Sequence, residues 1–246
     1  MHGSCLCGAV EFVADPALRP IIACHCTQCR KTSGYYWAAT SVPLKRFHLT
    51  RSDGLRWFQS SPKARRGFCE ICGASLFWKP EAEDRISIAA GALDGKTGLT
   101  IESHWHLAEA GDDSADAPQA ETLHASCLCG SNSFTMPGPT GEVWACHCTQ
   151  CRKLSGHFSA SFDVAEANVS WVSTGLAEYI TPGGGQRGFC TTCGSSLYFR
   201  AANGEFSVEA GAVDHPINAR LARHIYTADK GDYYAITDGL PQTPGP

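Results

Sequence analysis

The chain contains the run ACHCTQCRKTSG at residues 23–34 and ACHCTQCRKLSG at residues 145–156, identical at every position but one. Each run sits inside a longer thiol pattern that also occurs twice. The first half holds Cys5-x-Cys7, Cys24-x-Cys26-x-x-Cys29 and Cys69-x-x-Cys72. The second holds Cys127-x-Cys129, Cys146-x-Cys148-x-x-Cys151 and Cys190-x-x-Cys193. Together these account for all 14 cysteines. A chain that keeps every thiol in register across a duplication is expected to fold as two copies of one small unit built around its thiols.

The expected division is a first domain over residues 1–110, an acidic linker over 111–123 and a second domain over 124–246. The linker is small, acidic and proline-containing, the composition of an exposed connection. Both copies show short runs rich in β-branched and aromatic residues, broken by Gly, Pro, Asp and Ser. They fall at 9–13, 35–42, 55–59, 75–79 and 86–90, and again at 159–164, 177–181, 196–200 and 206–210. No helical stripe runs longer than about three turns. The fold class expected is mainly β, two tandem copies of one domain.

Residues 1–110 carry 13 Lys+Arg against 10 Asp+Glu, and residues 124–246 carry 7 against 10. The overall charge of −4 argues against a dedicated nucleic-acid binder, which needs a strongly basic face. No apolar run is long enough to span a bilayer. The thiol pattern starts almost at Met1, with no room before it for an export signal, so a cytoplasmic location is expected. In that compartment paired cysteines bind metal more often than they form disulfides. The odd count per copy also argues against a disulfide scaffold.

In an extended strand, residues i and i+2 share a face, so Cys5 and Cys7 can reach one ion. The Cys69-x-x-Cys72-Gly73 turn brings two more thiolates together. Two plus two gives a closed four-cysteine zinc site of structural type, repeated at Cys127, Cys129, Cys190 and Cys193. Cys24, Cys26 and Cys29 remain as three thiolates without an obvious fourth ligand, as do Cys146, Cys148 and Cys151. Three protein ligands and one vacancy is the usual form of a catalytic zinc. Three thiolates leave that zinc a weak Lewis acid, better matched to a soft thiol than to hydrolytic water. Arg30 and Lys31 follow directly and would favour thiolate over thiol. His25, or a residue distant in sequence, is the alternative fourth ligand that would close an ordinary structural site. Arg66 and Arg187 each precede Gly-Phe-Cys. Asp94 and Asp214 end matching Ala-Gly-Ala segments and read as turn residues, and His104 and His224 align near the end of each copy.

With the motifs G-x-C-x-C-G, C-H-C-x-x-C-R and R-G-F-C-x-x-C-G in order, the chain resembles the glutathione-dependent formaldehyde-activating enzyme (GFA, or CENP-V/GFA) family as a tandem duplication. The resemblance implies a zinc-stabilised β-tent-like fold in each copy. It implies structural zinc on Cys5, Cys7, Cys69 and Cys72 and a second, weaker trithiolate zinc site on Cys24, Cys26 and Cys29, the catalytic centre. In copy two it implies the same for Cys127, Cys129, Cys190 and Cys193, and for Cys146, Cys148 and Cys151. Arg66 and Arg187 are the candidate substrate-binding residues. The implied activity is that of a carbon–sulfur lyase resembling S-(hydroxymethyl)glutathione synthase, acting on a small thiol such as glutathione and on formaldehyde. The alternative is a non-catalytic zinc module that binds a macromolecule. The family's closing segment survives only in copy two, as His224-Ile225, Tyr233 or Tyr234, and Asp238-Gly-Leu-Pro241. The basic residues Lys45, Arg46, Arg56, Lys63, Arg65 and Arg66 of copy one are either a rim for an anionic thiol or a solvated face that pairs with the acidic linker and copy two.

Overall fold

The computed structural model describes residues 1–15, 17–110, 120–138, 140–214 and 219–245. The first half runs β1 (His2–Ser4), β2 (Val10–Ala14), β3 (Ile21–Cys24), helix α1 (Thr27–Ser33), β4 (Trp37–Pro43), β5 (Phe47–Ser52), β6 (Leu55–Ser61), β7 (Ala64–Cys69), β8 (Ser75–Pro80), β9 (Arg85–Ala89) and β10 (Ile101–Trp105). The second repeats this order as β11 (Thr122–Ser126), β12 (Asn132–Pro137), β13 (Val143–Cys146), α2 (Thr149–Ser155), β14 (Ser159–Asp163), β15 (Ser170–Ser173), β16 (Leu176–Ile180), β17 (Gln186–Cys190), β18 (Ser196–Arg200), β19 (Phe206–Glu209) and β20 (Leu221–Ile225). Most of the linker region, residues 111–119, lies outside the described residues.

Each half pairs a three-stranded sheet with a seven-stranded one. The orders are β1-β2-β5 with β10-β3-β4-β9-β8-β7-β6, and β11-β12-β15 with β16-β17-β18-β19-β14-β13-β20. The last strand of each half returns to run parallel to the third, and the other pairings are antiparallel. The protein is mainly β, in two similar halves. Alternating burial along β2 sends Val10, Phe12 and Ala14 into the core between the two sheets. There Phe12 meets Phe77 edge-on at 5.2 Å, an arrangement that favours the aromatic quadrupoles. In the second half Phe134 packs on Trp171 at 4.1 Å.

Both helices have seven residues and end on a glycine in the left-handed region, Gly34 at φ +92° and Gly156 at φ +86°. A helix so short is marginal alone, so tertiary contacts must hold it. Those contacts come from the opposite half. Arg30 donates to the carbonyls of Gly211 and Val213, at 3.3 and 2.7 Å, and Lys31 reaches Ser126 and Asp214. In mirror fashion Arg152 donates to Gly91 and Leu93, while Lys153 reaches Ser4 and Asp94. The backbone joins in: Gly91 N donates to Gly156 O at 2.7 Å, and Gly211 N to Gly34 O at 2.6 Å. The expectation that Arg30 and Lys31 bias the neighbouring thiols is therefore corrected, because both side chains turn away across the interface. Asp94 and Asp214, read as turn residues, are the anions that receive the two lysines.

The closing segment of copy two crosses the same interface. Tyr233 is buried beside Ile21, Ala38 and Ala90 of the first half, and Asp232 accepts from Thr97 and from the Gly98 amide.

The close approach of helix to turn fixes a prediction. A Cβ at Gly211 would fall well inside contact distance of the Arg30 carbonyl oxygen, and one at Gly91 would do the same against Arg152. Gly211→Ala and Gly91→Ala should each destabilise the chain by about 1–3 kcal/mol in urea unfolding, the usual cost of overpacking. A change near zero would show that the two halves do not meet this closely.

Candidate metal centres

In the first half Cys5 and Cys7 lie in the turn between β1 and β2, not in an extended strand as the i, i+2 spacing suggested. Gly8, at φ +76°, lets the chain double back so that both thiols face inward. Cys69 ends β7, and the following turn presents Cys72 before Gly73, also at φ +76°. The four sulfurs lie within 4.8 Å of one another, with Cys5 to Cys7 at 3.6 Å and Cys7 to Cys69 at 3.7 Å. Cys127, Cys129, Cys190 and Cys193 repeat the cluster, at 3.5 Å and 3.7 Å for the matching pairs. A tetrahedral ion with metal–sulfur bonds of about 2.3 Å would space its sulfurs about 3.8 Å apart, so both clusters fit one ion without rearrangement. Backbone amides already point at the sulfurs, Val10 N at Cys5 and Asn132 N at Cys127, each at 3.3 Å.

The other thiols form trios at the starts of the helices. Cys24 is the last residue of β3, Cys26 is the N-cap of α1, and Cys29 lies in its first turn. Cys146, Cys148 and Cys151 take the same places around α2. In each trio the sulfurs lie within 4.8 Å of one another, and among the described residues no His, Asp, Glu or further Cys joins them. His25 is turned away: its Nε2 meets His104 Nδ1 at 2.9 Å, and His147 pairs with His224 at the same distance. The trios are electrostatically poised, because thiols hydrogen-bonded to one another favour one thiolate among them. In copy one, hydrogen bonds from Cys24 and Cys26 hold Cys29 well below the usual thiol range, while those with Cys26 and Cys29 push Cys24 up. In copy two, bonds from Cys146 and Cys151 hold Cys148 low, at about 2.

Arg66 and Arg187 do not stand on an exposed rim. Both are buried, with Arg66 Nη2 donating to Cys29 Sγ at 3.3 Å and Arg187 Nη2 to Cys151 Sγ at 3.6 Å. Each guanidinium supplies positive charge to its trio, the role expected above of Arg30 and Lys31. Of the remaining basic residues, Arg56 lies 3.6 Å from Glu70 and Arg65 4.0 Å from Glu81, which neutralises part of that surface.

A cavity of about 630 Å³ opens on the copy-two trio, walled by Arg187, Ser159, Phe199, Tyr226 and Glu209. Glu209 was not singled out from the sequence. The signal lay in the register of the copies, where it stands opposite Ala89. A second cavity of about 880 Å³ lies between the halves, lined among others by Tyr36, His25, His147, His224, Tyr233 and Tyr234. Here His157 is buried between the Tyr36 and Tyr233 hydroxyls, at 2.9 and 3.0 Å. Burial keeps His147 neutral, down at about 4. The histidines of the two C-H-C motifs thus tie each trio to the interface.

Removing ligands should separate the two kinds of cluster. Structural zinc contributes about 10–16 kcal/mol of apparent binding energy in small domains. That exceeds most of the stability of a typical domain, so Cys72→Ser should unfold the first half. Cys26→Ser should leave the circular dichroism spectrum intact while lowering the metal content measured by plasma emission. A folded Cys72→Ser protein with full metal content would overturn the four-thiol assignment.

The sequence model described as glutathione-dependent formaldehyde-activating enzyme matches residues 1–109 and again 122–229. An uncharacterized lyase of Schizosaccharomyces pombe is 30% identical over 77 residues, spanning 31% of this chain and 56% of that protein. The match thus covers little more than half the length of that relative. A solved Rhodobacter sphaeroides protein aligns with 24% identity and a TM-score of 0.36, covering 43% of this chain and 99% of the other. With two successive matches that take in nearly all of both halves, the chain belongs to the glutathione-dependent formaldehyde-activating enzyme family, as a tandem duplication.

Proposed function

We propose that the chain is a zinc-dependent enzyme of carbon–sulfur lyase type. It joins a small thiol such as glutathione to an aldehyde such as formaldehyde, as an S-(hydroxymethyl)glutathione synthase does. The observation that carries this reading is the copy-two trio, three clustered thiols facing a cavity with no fourth protein ligand among the described residues. The all-sulfur donor sets and their spacing fit zinc. In this reading the two four-thiol clusters hold structural ions, and the trios hold the second, weaker ion of each half. Zinc bound by three thiolates would supply an acceptor position suited to a fourth, soft thiolate.

The rest of the chemistry falls to the chain. Arg187 lies against Cys151 and stabilises negative charge on sulfur through a charge-assisted hydrogen bond. Its guanidinium is held over the Phe199 ring at 4.6 Å, which fixes its orientation. Trp144, Phe199 and Ile225 make part of the cavity wall apolar, which limits water around the reacting carbonyl. Addition forms the carbon–sulfur bond, turns the carbonyl oxygen into a hydroxyl and needs one proton delivered there. All 14 cysteines are free thiols, which suits a reducing, cytoplasmic setting. Among the described residues no helix is long and apolar enough to cross a membrane.

Purified, zinc-loaded protein mixed with glutathione and formaldehyde should form the S-hydroxymethyl adduct faster than the buffer reaction, followed by exchange NMR. Cys148→Ser should return the rate to background. Unaccelerated adduct formation by zinc-replete protein, together with retention of a cellular macromolecule, would favour the non-catalytic module instead.

A further inference from the structure

The two trios sit in matching backbones but have different neighbours. Trp37 stands directly across the strand pair from Cys24, whereas Ser159 stands across from Cys146. Two residues further along, Ala39 pairs with Ala89 in the first half, and Ser161 pairs with Glu209 in the second. The same wall is therefore Trp, Ala and Ala beside one trio, and Ser, Ser and Glu beside the other.

The exchange replaces an indole with smaller polar groups. A Cβ built on Gly156 would meet the Trp37 indole nitrogen at 2.8 Å and the Ala89 methyl at 2.9 Å, while one built on Gly34 would meet the Glu209 carboxylate. Beside the docked helix end, the first half thus places an indole where the second places a carboxyl group. The Trp37 nitrogen has no hydrogen-bond partner among the described residues, so this side chain acts as filling. Glu209 is only 3% exposed, accepts from Ser159 Oγ at 2.6 Å and faces Ser196 Oγ at 3.5 Å.

A buried carboxyl group is costly unless paired, and among the described residues no cation lies within ion-pair distance of it. Arg187 of β17 exerts its positive charge both on Glu209 and on Cys151 and Cys148. Asp229 is the other acidic group on the cavity wall. Burial holds the Glu209 carboxyl above the ordinary carboxylate range, against the opposing pull of Ser159 and Arg187. A buried carboxyl group on a cavity wall, hydrogen-bonded to Ser159 and beside a cluster of thiols, has the placement of a proton donor.

We propose that Glu209 is the acid–base residue of the copy-two centre, and that copy one, with Trp37 and Ala89 in its place, does not take substrate. This rests on the carbon–sulfur reading above. In the forward direction the thiol sulfur forms its bond to the aldehyde carbon, the carbonyl π pair moves to oxygen, and Glu209 gives that oxygen its proton. The proton lost by the thiol restores Glu209, so thiol and aldehyde add with nothing left over. In reverse, Glu209 takes the hydroxyl proton as the carbon–sulfur bond breaks.

Two measurements on the zinc-loaded full chain test this. Calorimetric titration with glutathione should give one bound thiol per chain and none in Cys148→Ser. Two bound thiols, or one retained by Cys148→Ser, would mean that copy one is open and would overturn the division between copies. Glu209→Gln keeps the shape and the Ser159 bond, so it should bind glutathione as the parent does. Its kcat should fall about 100-fold or more, the usual worth of a positioned acid, with loss of the pH-profile limb that the carboxyl group supplies. An unchanged kcat and pH profile in Glu209→Gln, with an active parent, would overturn the assignment alone. An inactive parent that still binds one thiol would overturn the carbon–sulfur reading, and the proton step with it.

Discussion

Each half of this protein buries the basic pair of its helix inside the other half. Arg30 and Lys31 are 3% and 7% exposed, which would cost several kcal/mol per cation if their charges were left unsatisfied. The carbonyls of Gly211, Ala212 and Val213 and the carboxylate of Asp214 receive them, and Gly91, Leu93 and Asp94 of the first half receive Arg152 and Lys153 in the same way. The contact is reciprocal, like the self-complementary interface of a twofold dimer, although here one chain supplies both sides.

The thiol centres inherit their geometry from that contact. One end of each helix supplies two members of a trio, and the other end is held by the opposite half. A seven-residue helix has too few internal hydrogen bonds to hold such a geometry alone. The four-thiol clusters work locally, joining the first turn of each half to the turn after its seventh strand. Their knuckle turns also meet the opposite half, Gly73 against Phe189 and Gly194 against Phe68, and in copy two the Ser131 and Ser195 hydroxyls lie beside the sulfurs. Around the trios the halves differ in what faces the thiols, Trp37 across from Cys24 and Ser159 across from Cys146.

Duplication explains why that difference is tolerated. With Trp37 and Ala89 on one side and Ser159 and Glu209 on the other, the strand pairing beside the trios is kept while the bulk and chemistry of the wall are not. The single closing segment sharpens the asymmetry, since Tyr233 enters the first half and its hydroxyl reaches His157.

The spacing of the cysteines was enough to group them, because C-x-C and C-x-x-C are local geometries that a turn or a helix start imposes. The repeat, the mainly β class and several strands followed from residue patterns in the same way; the strand Ser196–Arg200, for example, coincides with its sequence run. What could not be read was direction. Arg30, Lys31 and Arg66 are all basic residues near thiols, and only the interface decides that the first two leave the trio while the third stays. Cys5 and Cys7 converge through a turn made possible by Gly8, not through strand alternation. Glu209 looked like an ordinary strand residue, as Asp94 and Asp214 looked like turn formers, because their partners lie far away in the chain. The sequence by itself determined which residues bind together locally and that the chain is built twice. The tertiary structure alone decided which charges face the thiols, which cross between halves and what walls the cavity at the copy-two trio, because those depend on contacts between segments distant in the chain.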